Sequence, residues 1–167
     1  HIDLKLLTPE YAEDMCTYYI NNKERLREFE PARNEDFYTE RSQRNILIEG
    51  YKQYLNGISI AFGIFRDREL IGRIQCSNIV EGIFKNGIVG YSIDKYHEGK
   101  GYMKEALQLF IEYAFEEMEL HRLEASVLVD NEKSKGVLKA CNFKELGLNE
   151  KYLYINGKWR DHITYYL

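Results

Sequence analysis

Cysteine is scarce: Cys16, Cys76 and Cys141 are the only ones among 167 residues. An odd count with no C-x-x-C spacing excludes a disulfide framework and a zinc ribbon, and reads as packed thiols in a reducing, cytoplasmic compartment. The four histidines, His1, His97, His121 and His162, form no H-E-x-x-H pair, so no metal is expected. No stretch approaches the roughly 18 apolar residues of a membrane-spanning helix, and no secretory leader is visible. A basic block is missing too. The 23 Lys and Arg against 27 Asp and Glu give a formal net charge of −4, which argues against direct binding of nucleic acid. Two familiar phosphate loops are absent. Lys104 stands where a G-x-G-x-x-G fingerprint beginning at Gly99 would need its third glycine, and no G-x-x-x-x-G-K-[ST] run occurs.

What is present suits one domain, residues 1–167, with a core of its own. Tyrosine, with 14 residues, is the abundant aromatic; its ring packs while its hydroxyl stays wet, which suits strand faces and groove walls. Ile2, Leu4 and Leu6 alternate with polar residues as an edge strand does. Thr8-Pro9-Glu10 predicts a helix start, with Thr8 as its cap and the helix running to about Asn21. A second short helix follows through Leu26, and Glu30-Pro31 breaks the chain. A surface helix is expected from Asp36 to about Leu55. The period then becomes that of strands. Ile58–Phe65, Leu70–Ile79 and Gly87–Ile93 read as an antiparallel meander. A helix with Ala106, Leu107, Phe110, Ile111, Ala114 and Phe115 on one side comes next. Leu123–Val129 is a central strand, Glu132–Cys141 a short helix closed by Asn142, and Tyr152–Ile155 with Lys158–Leu167 a hairpin about Asn156-Gly157. In that hairpin Trp159 is expected to cover the core. The order gives an α/β arrangement of the α+β type, with a mixed, largely antiparallel twisted sheet flanked by helices.

The most telling stretch joins the strand ending at Ile93 to a glycine loop, Glu98-Gly99-Lys100-Gly101-Tyr102-Met103, that opens directly into a helix. Free N–H groups at a helix start point at anions, and glycine lets the backbone come close. This run resembles the acetyl-CoA pyrophosphate loop of the GNAT N-acetyltransferase superfamily, [Q/R]-x-x-G-x-[G/A], with Glu98 and Met103 departing from the usual residues. A second stretch is similar to that superfamily's N-x-x-[A/S]-x-x-x-Y followed by Gly-Phe. Asn131, Ser134 and Phe143 match, Asn142 replaces the glycine, and Leu138 stands where the general-acid tyrosine usually is. Glu30-Pro31, Ser77-Asn78-Ile79-Val80, Gly90-Tyr91-Ser92-Ile93 and the tail Tyr152–His162 look like the Rim-type branch, which acetylates the N-termini of ribosomal proteins. That branch also lacks the tyrosine and places a serine at Ser134.

The resemblance implies the GNAT fold over the whole chain, acetyl-CoA as co-substrate, and an N-terminal α-amine of Ala or Ser as acceptor. The backbone of Tyr91, Ser92 and Ile93 would hold the pantetheine arm, on a strand splayed from its neighbour. The amides of Gly99, Lys100, Gly101, Tyr102, Met103 and Lys104 would hold the pyrophosphate, with Lys100 and Lys104 adding charge. Asn131 would cap its helix and touch CoA. Ser134 would donate to the departing sulfur, unless it only bonds locally as a first-turn serine. An α-amine with a pKa near 8 is already about a tenth neutral at pH 7, so a weak base suffices. Glu30 is the candidate, with Glu28 and Glu81 as rivals. Acetylation of a small amine such as a polyamine or aminoglycoside, and a non-catalytic CoA-binding module, are the alternatives. Monomer and homodimer both fit the sequence.

Overall fold

In the computed structural model, which describes His1–Leu167, the first strand is β1, Asp3–Leu6. Thr8 does not cap a helix as expected: its hydroxyl donates to Glu10 Oε1 at 3.1 Å. Pro9–Tyr11 forms a 3₁₀ turn, and α1 begins only at Ala12 and ends at Asn21. A single turn, α2, covers Lys23–Leu26. The long surface helix is also split. Glu35–Tyr38 is 3₁₀, Thr39 is extended and accepts from Ser42 N–H at 3.2 Å, and α3 runs Glu40–Leu55. Thr39 is thus the cap that ends one element and starts the next. The meander follows as β2, Ile60–Arg66, β3, Glu69–Val80, and β4, Asn86–Ile93. Beyond it lie α4, Tyr102–Glu116, β5, Arg122–Leu128, and α5, Glu132–Ala140, closed by Asn142 in the left-handed region at φ 69°. The terminal hairpin is β6, Lys144–Ile155, and β7, Lys158–Tyr166, joined where Asn156 and Gly157 both take positive φ. β6 starts eight residues before the expected Tyr152, because it is an edge strand with two register shifts and no clean alternation to betray it.

The seven strands form one sheet in the order β1-β2-β3-β4-β5-β7-β6. Every pairing is antiparallel except β4 with β5. That parallel pair is short. It joins Asn86, Gly87 and Ile88 to Arg122, Leu123 and Glu124, and then the strands part. β4 continues to Ile93 and β5 to Leu128 with nothing between them, so the sheet is split at its centre.

Strand alternation sends residues to two cores. On one face Ile60, Ile64, Ile74, Val89 and Ile93 pack with Ala106, Leu107, Phe110 and Ala114 of α4. Leu138 and Cys141, at α5, close the same core. On the other face Leu7, Met15, Tyr18, Tyr19 and Leu47 bind α1 and α3 to the sheet. Burying each large apolar side chain contributes roughly 1.5–3 kcal/mol, so Met103, Leu107 and Phe110 fix α4 firmly to this face. Trp159 does not cover the core. It is 60% exposed and stands edge-on to Tyr154 across the hairpin, ring centroids 5.5 Å apart. His162, on the opposite face of β7, is the buried one.

Gly72 of β3 marks where the split end of β4 lies closest to its partner: a β-carbon there would meet Ser92 O at 2.6 Å and Ile93 Cα at 3.2 Å. Both are backbone atoms and cannot swing aside. Gly72→Ala is therefore expected to lower unfolding stability by about 1–3 kcal/mol in urea titration, as overpacked cores do; an unchanged midpoint would show that β3 and β4 separate freely here.

Candidate active site

The split makes a passage through the sheet, and the groove built on it encloses about 1110 Å³. Its first wall is the free end of β4. Asp94 N–H donates to Ile71 O at 2.7 Å, so alternation turns the amide groups of Ser92 toward β3 and those of Tyr91 and Ile93 toward the gap. A polar stripe on the first two helices holds this edge in place. Tyr18 and Ser92 share a hydroxyl hydrogen bond of 2.7 Å, and Arg25 Nη2 donates to Ile93 O. The Asn22 amide donates to Asp94 Oδ1 at 3.0 Å and accepts from Lys95 N–H at 3.1 Å. Asp94 also accepts from Tyr96 N–H and pairs with His97. Burial pushes the Asp94 carboxyl up, but the bonds from His97, Asn22 and Tyr96 outweigh it, so it sits below its ordinary value. Tyr18, Asn22 and Arg25 were not foreseen as site residues. Their spacing of four and three does put them on one helical face, which is the signal that could have found them.

The second wall is the start of α4. Gly99 and Gly101 have φ of 72° and 84°, which glycine adopts without strain. No side chain caps this helix, in contrast to Thr39 on α3 and Asn131 on α5. The N–H groups of Tyr102, Met103 and Lys104 are left for a ligand, and they open onto the groove. This uncapped end can hold a phosphate, and so the residues present fit CoA. Lys104 lines the groove, whereas Lys100 is exposed and lies outside its lining. Glu98, the departure from the family loop, is no free negative charge. Arg25 Nη1 lies 3.4 Å from one of its oxygens and Lys133 Nζ 2.9 Å from the other. No cluster of three or more His, Cys, Asp or Glu side chains is placed to hold a metal.

The third wall is α5. Asn131 caps it by accepting from Ser134 N–H at 3.2 Å. Ser134 faces the groove, and its hydroxyl lies 2.9 Å from that of Tyr91. Leu138, at the family's tyrosine position, is fully buried in the core and offers no group to the site.

On the opposite face of the sheet, Glu30, Arg73, Tyr19 and Gln75 line the same groove, with Leu153 and His162 across from them. Glu30 is half-buried, with Arg33 Nη2 at 3.6 Å. Burial pushes its carboxyl above the ordinary value, against the pull of Arg33, Arg73 and Arg25. Glu28 also borders the groove but is exposed, and Glu81 lies outside the lining altogether. Thus Ser134 and Glu30, 104 positions apart in the chain, reach one cavity from the two faces of the sheet.

The acetyltransferase (GNAT) domain family model matches residues 1–144. The probable N-acetyltransferase YjcK of Bacillus subtilis is 37% identical over 90% of this chain and 84% of its own. The ribosomal protein uS5 alanine N-acetyltransferase of Escherichia coli is 33% identical over 96% of this chain and 84% of its own. Mycobacterium smegmatis RimJ, solved in complex with CoA-disulfide, superposes with a TM-score of 0.96 at 25% identity, covering 99% of this chain and 81% of that one. The split sheet, the uncapped helix behind a glycine loop and these likenesses agree: the chain belongs to the GNAT acetyltransferase family and is an N-acetyltransferase close to those that modify ribosomal proteins.

Proposed function

We propose that this protein transfers the acetyl group of acetyl-CoA to the α-amine of a protein beginning with Ala or Ser, a ribosomal protein being the favoured class. The observation that carries the reading is the passage through the sheet. The uncapped start of α4 and Ser134 meet it from one face, and Glu30 and Arg73 from the other. CoA bound to RimJ supports the donor, and the activity of the E. coli relative supports the acceptor.

When bound, acetyl-CoA supplies an acyl group activated as a thioester. The amides of Tyr102, Met103 and Lys104 hold its pyrophosphate, beside the left-handed glycines and Asn131. The amide edge of Tyr91 and Ile93 takes the extended arm, and an N–H from that edge stabilises the oxyanion. Glu30 accepts the proton that the attacking amine gives up, directly or through water. One N–C bond forms and one C–S bond breaks; Ser134 donates a hydrogen bond to the sulfur as it gains charge, and its final proton comes from solvent.

The direct test is thiol release from acetyl-CoA with peptides that differ only in their first residue, polyamines and aminoglycosides alongside. Release with Ala- and Ser-starting peptides is expected; release with small amines alone would overturn the acceptor. Gly101→Ala places a side chain at φ 84°, a strain of about 1–2 kcal/mol. Calorimetry is expected to show CoA affinity falling roughly tenfold, and an unaltered affinity would move the phosphates elsewhere.

Glu30→Gln should lower kcat/KM at pH 7 by about 10²-fold and erase an acid limb lying above the usual glutamate range. The same change acts oppositely on stability. A carboxyl whose folded pKa is raised binds its proton more tightly when folded, so its contribution is full below the unfolded pKa and lost as pH rises through the folded one. Glu30→Gln is therefore expected to raise Tm at pH 7 and leave it unaltered near pH 3. A variant both slow and less stable at pH 7 would make Glu30 a structural residue only.

A further inference from the structure

Tyr91 projects from β4 onto the face that carries α5, and its hydroxyl lies 2.9 Å from Ser134 Oγ and 3.3 Å from Ser134 O. The carbonyl already stands in the helix ladder, where it accepts from the residue four positions on. The Ser134 N–H is taken by Asn131 at 3.2 Å. That leaves Oγ as the one atom of Ser134 able both to accept a hydrogen bond and to donate another. The phenol has a single proton to give, and the nearer acceptor is Oγ.

We infer that Tyr91 is a positioning residue for acetyl transfer: its phenol donates to Ser134 Oγ and thereby turns the serine's own proton into the groove, toward the departing sulfur. The inference rests on the reading of Ser134 given above. Without the phenol, the serine hydroxyl in the first turn of a helix rotates freely among local acceptors. With the phenol as donor, the serine proton is turned away from Tyr91, and the groove that Ser134 lines is the open side for it. Burial pushes the Tyr91 phenol well above its ordinary value, against the lowering effect of the Ser134 bond, so it keeps its proton throughout the working range. The other titratable groups around it are Cys141 and Tyr165, both buried, while Lys133 and Lys135 flank Ser134 along the chain. A tyrosine thus serves this site from a strand, although the helix position where the family usually carries one holds Leu138.

Three variants test this with peptide acceptor: Tyr91→Phe, Ser134→Ala and the pair. Tyr91→Phe keeps the ring and removes only the oxygen. Each single change is expected to lower kcat about tenfold with KM for acetyl-CoA within about twofold, and the pair should be no slower than Ser134→Ala alone. A second readout needs no turnover. In Ser134→Cys, the pH profile of alkylation of the new thiol, followed by mass spectrometry of its own peptide, gives the thiol's pKa. Adding Tyr91→Phe should raise that pKa by about half a unit or more, since a donor to a thiolate favours the charged form. Losses that multiply in the pair, or a thiol pKa that does not move, would overturn the inference. Full rate in Tyr91→Phe beside a slow Ser134→Ala overturns it alone, whereas full rate in Ser134→Ala removes the reading of Ser134 on which it stands.

Discussion

The site depends on one broken pairing. β4 and β5 are hydrogen-bonded to each other only as far as Ile88 and Glu124, after which each keeps its outer partner, β3 or β7, and the edges that face each other part through the middle of the sheet. An open strand edge in a protein interior is costly unless something takes its hydrogen bonds. Here the first two helices meet part of that demand. Arg25 takes the Ile93 carbonyl of that edge, while Tyr18, through the Ser92 hydroxyl, and Asn22, at Asp94 and Lys95, brace the end of the strand. These contacts hold the end of β4 in place and leave the amides of Tyr91 and Ile93 facing the gap. Everything else in the site is hung on the two sides of that opening.

The departures from the family's loop and helix patterns are absorbed by the surroundings. An acid at Glu98 would repel a pyrophosphate, but Arg25 and Lys133 sit on its two oxygens and tie α2, the loop and α5 into one unit. Met103, where a small residue is usual, turns into the main core and leaves its amide free for the groove. Leu138 removes a tyrosine from α5, and a tyrosine of β4 comes within hydrogen-bond distance of the serine one turn earlier. The chemistry a site needs is fixed by where a hydroxyl ends up in space, and the chain can bring it there from more than one element.

Local chemistry was legible from the residues alone. Positive φ at Gly99, Gly101, Asn156 and Gly157, the Asn131 cap and the left-handed Asn142 all follow from what those side chains allow. So did the order of elements and the splay of β4, which rest on periodicity and on a family resemblance spanning the chain. Contacts between distant segments were not legible. Nothing local to Tyr91 signals Ser134, and nothing in α2 signals Glu98, because those pairings exist only once the sheet has brought the segments together. Trp159 misled for a related reason: it stands at the turn end of the hairpin, short of His162 where β7 first pairs with β5, and only the strand pairing shows that this end lies at the margin of the sheet. The first half of β6 escaped notice because its pairing partner, rather than its own pattern, makes it a strand.

The central claim is that acetyl-CoA occupies the split, its arm along β4 and its phosphates at the head of α4. Amide hydrogen exchange resolved by residue, with and without CoA, addresses it most directly. The account predicts new protection at Tyr91 and Ile93 and at Tyr102, Met103 and Lys104, with little change at the hairpin residues Tyr154 and Trp159. Protection confined to the hairpin or to α3, with those five amides exchanging as before, would contradict it.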